Sequence, residues 1–144
     1  MQVIPYLRFQ GDCEAAFKFY EQCLDAECGE IFRYAGSPMA GQVPPDWGDK
    51  IMHGNFTIAG RTFQAADVLP AQYEEPKGFS LSLQLGSAAE AERIFADLAE
   101  GGSVLVPLEK TFWAERFGVV TDRFKITWLI NCDGGAPDPE TATL

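Results

Sequence analysis

The strongest constraint on the fold is a pattern that occurs twice, 75 residues apart. Gly11, Asp12, Ala16, Phe19, Tyr20 and Cys23 have Gly86, Ser87, Ala91, Ile94, Phe95 and Leu98 as counterparts. Each copy reads as a short amphipathic helix. Ala16, Phe19, Tyr20, Cys23 and Leu24 recur at i, i+3, i+4, i+7 and i+8, and Ala91, Ile94, Phe95 and Leu98 form the second stripe. Asp12 is the expected N-cap of the first helix. Ser87-Ala88-Ala89-Glu90 has the form of a capping box, and Gly101-Gly102 closes the second helix. Apolar and aromatic segments of strand length flank both helices: 3–9, 28–35, 50–59 and 62–68 in the first copy, then 78–85, 104–110, 117–122 and 124–131 in the second. Pro5 predicts an edge or irregular start for the first strand. The chain therefore reads as β-α-β-β-β twice, an α+β fold with two modules forming curved mixed sheets within one structural domain. The modules span 1–68 and 78–132, joined by the linker 69–77. The tail 133–144, with Gly134, Gly135, Pro137 and Pro139, predicts disorder. The loop 36–49 carries Pro38, Pro44, Pro45, Met39 and Trp47, the apolar cargo of a lid or contact loop.

Composition narrows the function. At 144 residues with 47% hydrophobic content and 11 Phe, the chain can fill a core. Its net charge of −10 repels phosphate backbones and anionic lipids, so neither nucleic acid nor membrane is an expected partner, while a local site for a small anion stays open. No apolar stretch approaches the roughly 18 residues of a membrane helix, and the N-terminal stretch lacks a signal peptide's apolar segment, which predicts a cytoplasmic location. Cys13, Cys23, Cys28 and Cys132 include no C-x-x-C pair and, without a secretory signal, read as reduced thiols; no neighbouring His or basic cluster would stabilise a nucleophilic thiolate. The single histidine, His53, excludes multi-histidine zinc sites and H-E-x-x-H. The G-x-S-x-G, P-loop and G-x-G-x-x-G signatures are also absent.

Alternation along the strands separates two faces. Met52, Phe56 and Ile58 alternate with His53, Asn55 and Thr57, and Phe79, Leu81, Leu83 and Leu85 alternate with Ser80, Ser82 and Gln84. The apolar faces belong under the helices. The polar faces, with Gln64 and Thr127, are either open to water or line a cavity. Their shortage of Lys, Glu and Asp favours the cavity.

With these modules in hand, Tyr6-Leu7-Arg8-Phe9 before Gly11 and Phe19-Tyr20 in the first helix resemble the vicinal oxygen chelate superfamily. That group includes glyoxalase I, extradiol dioxygenases and bleomycin-resistance proteins. His53 in the strand ending Ile58-Ala59-Gly60, Asp67, and Thr111-Phe112-Trp113-Ala114-Glu115-Arg116-Phe117-Gly118 followed by Thr121-Asp122-Arg123-Phe124 are similar to the PhnB-like branch, whose members carry the label "3-demethylubiquinone methyltransferase-like". The resemblance covers about residues 2–131. It implies a concave sheet in each half, a homodimer, and cavities for small polar or aromatic molecules. The positions that hold the metal in metal-dependent relatives fall on Ile4 or Pro5, Gln64, Ser80 and Thr127. An amide beside two hydroxyls is a poor set for Zn²⁺, Ni²⁺ or Fe²⁺, so no metal or other cofactor is expected. Lys125 stands where relatives have Gly. Lysine tolerates positive φ poorly, which implies either another turn type or another pairing of the last two strands.

The residues weigh as follows. His53 is a candidate catalytic base or ligand anchor, since imidazole titrates near neutral pH, or else a hydrogen-bonded structural residue. Asp67 orients His53 or a ligand, or caps a turn. Trp113, beside Phe112, offers stacking surface or plugs a contact. Arg116 clamps an anion, or pairs with Glu115 or Asp122. Tyr6, Gln64 and Thr127 face the expected pocket. The leading expectation is a metal-free small-molecule binding protein of the PhnB-like branch. The alternative is a metal-dependent lyase, isomerase or dioxygenase of the superfamily type using His53. Methyl transfer finds no support in the sequence, because no glycine-rich loop for adenosylmethionine follows the first strand.

Overall fold

A computed structural model describes residues 1–133; the tail predicted to be disordered lies, apart from Asp133, outside the described residues. The chain divides into two compact units, Met1–Glu74 and the residues from Glu75 on. The first contains β1 (Tyr6–Phe9), α1 (Cys13–Leu24), β2 (Glu27–Arg33), β3 (Ile51–Ile58) and β4 (Arg61–Asp67). The second contains β5 (Leu81–Leu85), α2 (Ala88–Ala99), β6 (Ser103–Glu109), β7 (Arg116–Thr121) and β8 (Thr127–Cys132). The sheets have the orders β1-β4-β3-β2 and β5-β8-β7-β6, each with one parallel pair and two antiparallel ones. The two helices fall at the predicted offset. The offset then lapses, because the β2–β3 connection (34–50) is much longer than its counterpart (110–115).

Each helix buries its stripe against its own sheet. Ala16, Phe19, Tyr20, Cys23 and Leu24 are buried, joined by Cys13 and Phe17. The Phe17 and Phe56 rings lie 4.9 Å apart, and Phe56 stacks on its cross-strand partner Phe63 at 5.1 Å. In the second unit Ala91, Ile94 and Leu98 are buried against Val120, Trp128 and Ile130, while Phe95 is half-buried. The helices approach closely because a glycine lies beneath an aromatic ring in both units. A Cβ on Gly54 would meet Phe17 Cε2 at 3.2 Å, and one on Gly118 would meet Phe95 Cε2 at 2.8 Å.

Several local expectations need correction. Strand β1 starts at Tyr6 rather than Val3, and β5 starts at Leu81 rather than Gly78. In β3 the apolar alternation slips at its start. Ile51 is fully buried and Met52 only half-buried, next to a register shift between Phe32 and Arg33 of β2. Asp12 gives α1 no side-chain cap; the Asp67 carboxylate reaches that helix end instead. Ser87 does cap α2, its hydroxyl accepting from the Glu90 amide at 3.1 Å. Residues 124–126 belong to a turn, not to β8. Lys125 takes φ +74° there, and β7 and β8 still pair in the antiparallel register Thr121↔Thr127. The left-handed turn is therefore kept without glycine. Asp122 holds it, one carboxylate oxygen accepting from the Phe124 and Ile126 amides at 2.8 and 3.1 Å and the other from Trp128 Nε1 at 2.9 Å.

Candidate functional site

In the first unit the register sets a row of polar side chains across three strands. Tyr6 of β1 is paired with Gln64 of β4, and Gln64 with Asn55 of β3. The neighbouring Leu7 and Phe9 are buried beneath α1, so Tyr6 and Arg8 project from the opposite, open face, as does His53 two residues before Asn55. There Tyr6 Oη lies 3.1 Å from His53 Nδ1, and the two ring centroids are 5.7 Å apart. The Arg8 guanidinium sits 5.9 Å from the Tyr6 ring centroid. Burial pushes the Tyr6 hydroxyl above its ordinary pKa, with Arg8 pulling the other way. Between the Tyr6 hydroxyl and His53 Nδ1 either atom can be the donor, according to the imidazole tautomer. Asn55 is turned aside. Its Oδ1 occupies the space a Cβ would take on Gly29, at the irregularity between Cys28 and Ile31 of β2.

Asp67 belongs to the same unit but not to this face. Its side chain is buried, with one oxygen accepting from the Gly11 and Cys13 amides at 2.9 and 3.0 Å and the other from the Ile51 amide at 2.9 Å. Tyr34 Oη donates to its backbone carbonyl at 2.6 Å. Burial raises the Asp67 carboxyl pKa, against the three amides that lower it. Near Asp67 an open groove of about 520 Å³ runs along the start of α1. Its basic side chains already have acceptors: Arg33 with Glu14 at 2.6 Å, Lys18 with Glu14 at 3.6 Å, and Lys50 Nζ donating to the Gly11 carbonyl at 2.8 Å.

Trp113, Arg116 and Thr127 belong to the second unit. Thr127 shares a hydrogen bond with its cross-strand partner Thr121 at 2.8 Å, on the face away from α2. On that face Asn131 Nδ2 donates to Gln84 Oε1, and Gln84 Nε2 to Ser82 Oγ, both at 2.8 Å. Phe117, Val119 and Leu129 share the face by register, so it is only partly polar. Arg116 extends from the opposite side to Glu92 of α2, with Nε and Nη2 each 3.1 Å from Oε1. Trp113 lies in the β6–β7 loop, half-exposed and edge-on to Phe117 at 5.4 Å. Tyr6, His53 and Gln64 thus come together, while Arg116 and Thr127 lie on opposite faces of one sheet. Arg8 went unweighed in the sequence, although its i+2 spacing from Tyr6 puts both on one strand face.

The positions expected for a metal carry Ile4, Pro5, Gln64, Ser80 and Thr127, with no carboxylate or imidazole, and the Thr127 hydroxyl is already bonded to Thr121. This donor set does not fit a tightly held transition metal. Among the described residues no group of three His, Cys, Asp or Glu side chains is placed to hold an ion. No helix among them is long and apolar enough to cross a membrane.

Paired β-α-β-β-β units, each a four-stranded mixed sheet backed by one helix, define the glyoxalase/bleomycin-resistance fold of the vicinal oxygen chelate superfamily. Solved structures with 14–15% identity, among them a glyoxylase/bleomycin resistance protein/dioxygenase domain from Frankia and a fosfomycin resistance protein from Listeria monocytogenes, share that fold. Residues 1–131 match the family described as 3-demethylubiquinone-9 3-methyltransferase. Protein YjdN of Escherichia coli is 34% identical over 142 residues, covering 91% of this chain and 95% of that protein. The crystal structure of PA1353 from Pseudomonas aeruginosa is 46% identical with a TM-score of 0.82, covering 92% of this chain and 98% of that one. A PhnB protein from Bacillus cereus is 25% identical with a TM-score of 0.80, covering 92% and 99%. The chain belongs to this PhnB-like family.

Proposed function

We propose that the open face of the first sheet binds a small polar or aromatic molecule through protein side chains, with no metal taking part. The Tyr6–His53 hydrogen bond beside Gln64 carries this reading. It fixes a ring, a hydroxyl and an imidazole on the part of the sheet face formed by β1, β4 and β3, which carries no acidic side chain. An aromatic ring offers stacking, and the hydroxyl, imidazole and amide offer direction. Asp67 and Arg116, whose charges are satisfied inside their units, keep structural parts in this reading. Thr127 and Trp113 are a second, more apolar patch available to a ligand. Methyl transfer is not part of the proposal, since neither mixed sheet has the doubly wound parallel form that places a glycine-rich loop after its first strand.

The enzyme alternative gives His53 a proton to move, with Tyr6 orienting its ring. One experiment separates the two. Protein treated with chelator is titrated with a library of small polar and aromatic compounds, using wild type and His53→Ala, and turnover is assayed with and without added Fe²⁺ or Ni²⁺. Binding that survives chelator and is weakened by His53→Ala, with no metal-dependent turnover, supports the binder. Metal-restored turnover that His53→Ala abolishes overturns it. The expected homodimer is also a proposal, supported by the exposed Val104, Leu105 and Val106 of the sheet-edge strand β6. Sedimentation of the purified chain at twice the monomer mass is the expected result.

A further inference from the structure

The geometry points to a small anion, bearing a carboxylate or phosphate, as the ligand of the first unit's open face; this rests on the binding reading above. In an acidic chain most arginines find an acceptor. Arg33 meets Glu14, Arg93 meets Asp97, Arg116 meets Glu92, and Arg123 donates to the Glu100 carbonyl. Arg8 has no acceptor among the described residues, yet it is not a stray surface charge. It lies beside the Tyr6 ring, and Tyr6 in turn holds His53. On β1, β3 and β4 the polar residues of the face, Tyr6, Arg8, His53, Asn55, Thr57, Thr62 and Gln64, include no carboxylate to compete for that guanidinium; Glu27, paired with Thr57, lies on β2, the edge strand farthest from β1. A planar guanidinium matches a carboxylate or phosphate with two parallel N–H bonds. The Gln64 amide, and His53 Nε2 in the tautomer that protonates it, are further donors on this face. The net charge of −10 repels anions in general, so any affinity has to be local to these donors.

The test uses ¹H–¹⁵N spectra of the full chain, wild type, Arg8→Gln and Arg61→Gln, titrated with benzoate, inorganic phosphate and the neutral isostere benzamide. Arg61 is an exposed arginine at the β3–β4 turn and controls for bulk charge. The expected result is that at least one of the anions moves the amides of Tyr6, Arg8, His53 and Gln64. Benzoate or phosphate then binds roughly tenfold more tightly than benzamide, the factor a charge-assisted hydrogen bond contributes. Arg8→Gln erases that preference and Arg61→Gln leaves it intact, with the remaining spectrum unchanged in both. Equal binding of benzamide and the anions at these amides, indifferent to Arg8→Gln, overturns the anion inference and spares the binding reading. Shifts confined to the Lys18–Lys50 groove, or no shift at these amides from any of the three probes, overturn both.

Discussion

At the scale of single residues, two buried aspartates decide local geometry that the sequence left ambiguous. Asp67 was open to two readings, ligand contact or turn cap. Its three amide bonds make it a tie between the β1–α1 turn and the first residue of β3. Asp67→Asn places an NH₂ where at least one amide already donates. A buried donor left without an acceptor costs about 2 kcal/mol, measurable as a lower midpoint in urea with unchanged slope. Unchanged stability would remove Asp67 from this role. Asp122 explains why lysine is tolerated at φ +74°, since its carboxylate over-determines the turn. Neither bond set was legible in the sequence, because each partner lies on a different element or around a turn whose type one residue alone does not specify. Arg8 was legible, since residues i and i+2 share a strand face, but its lack of a carboxylate partner is visible only in three dimensions.

At the scale of elements, helix position and stripe were readable because 3.6-residue periodicity repeats at one offset. Strand ends were not, because apolar residues such as Val3 and Phe124 continue past the last ladder hydrogen bond. The close approach of helix to sheet depends on Gly54 and Gly118, which period-2 reasoning passes over. Gly118→Ala drives a methyl into Phe95 and the Leu108 backbone and is expected to cost about 1–3 kcal/mol, read from chemical denaturation. Helix α1 is also tied to β2 by Glu14 and Arg33, 2.6 Å apart. The Arg33 hydrogen bond holds the Glu14 carboxyl below its ordinary pKa. A lowered folded-state value stabilises the fold above the unfolded value, and that contribution is lost as pH falls through the folded one. The pair is partly exposed, so Glu14→Gln is expected to cost only about 0.5 kcal/mol at neutral pH, the gap closing in acid. A gap that instead widens on acidification contradicts the assignment.

At the scale of the whole molecule, two copies of one supersecondary unit carry different open faces. The first gathers Tyr6, His53 and Gln64, with the exposed Phe32 paired with His53 at the β2 edge; the second mixes Gln84, Asn131 and Thr127 with Phe117, Val119 and Leu129. The fold and family were legible in the sequence because a duplicated pattern and a long motif are global signals. The site was legible only in part, since a list of polar residues does not say which of them touch. The central claim is that the positions expected to chelate an ion carry neutral donors instead, so that recognition falls to side chains. Elemental analysis of the chain purified without a histidine tag tests this most directly. Transition-metal content far below one ion per chain is the predicted result, and one Fe, Ni, Zn or Mn per chain, retained through dialysis, would contradict it.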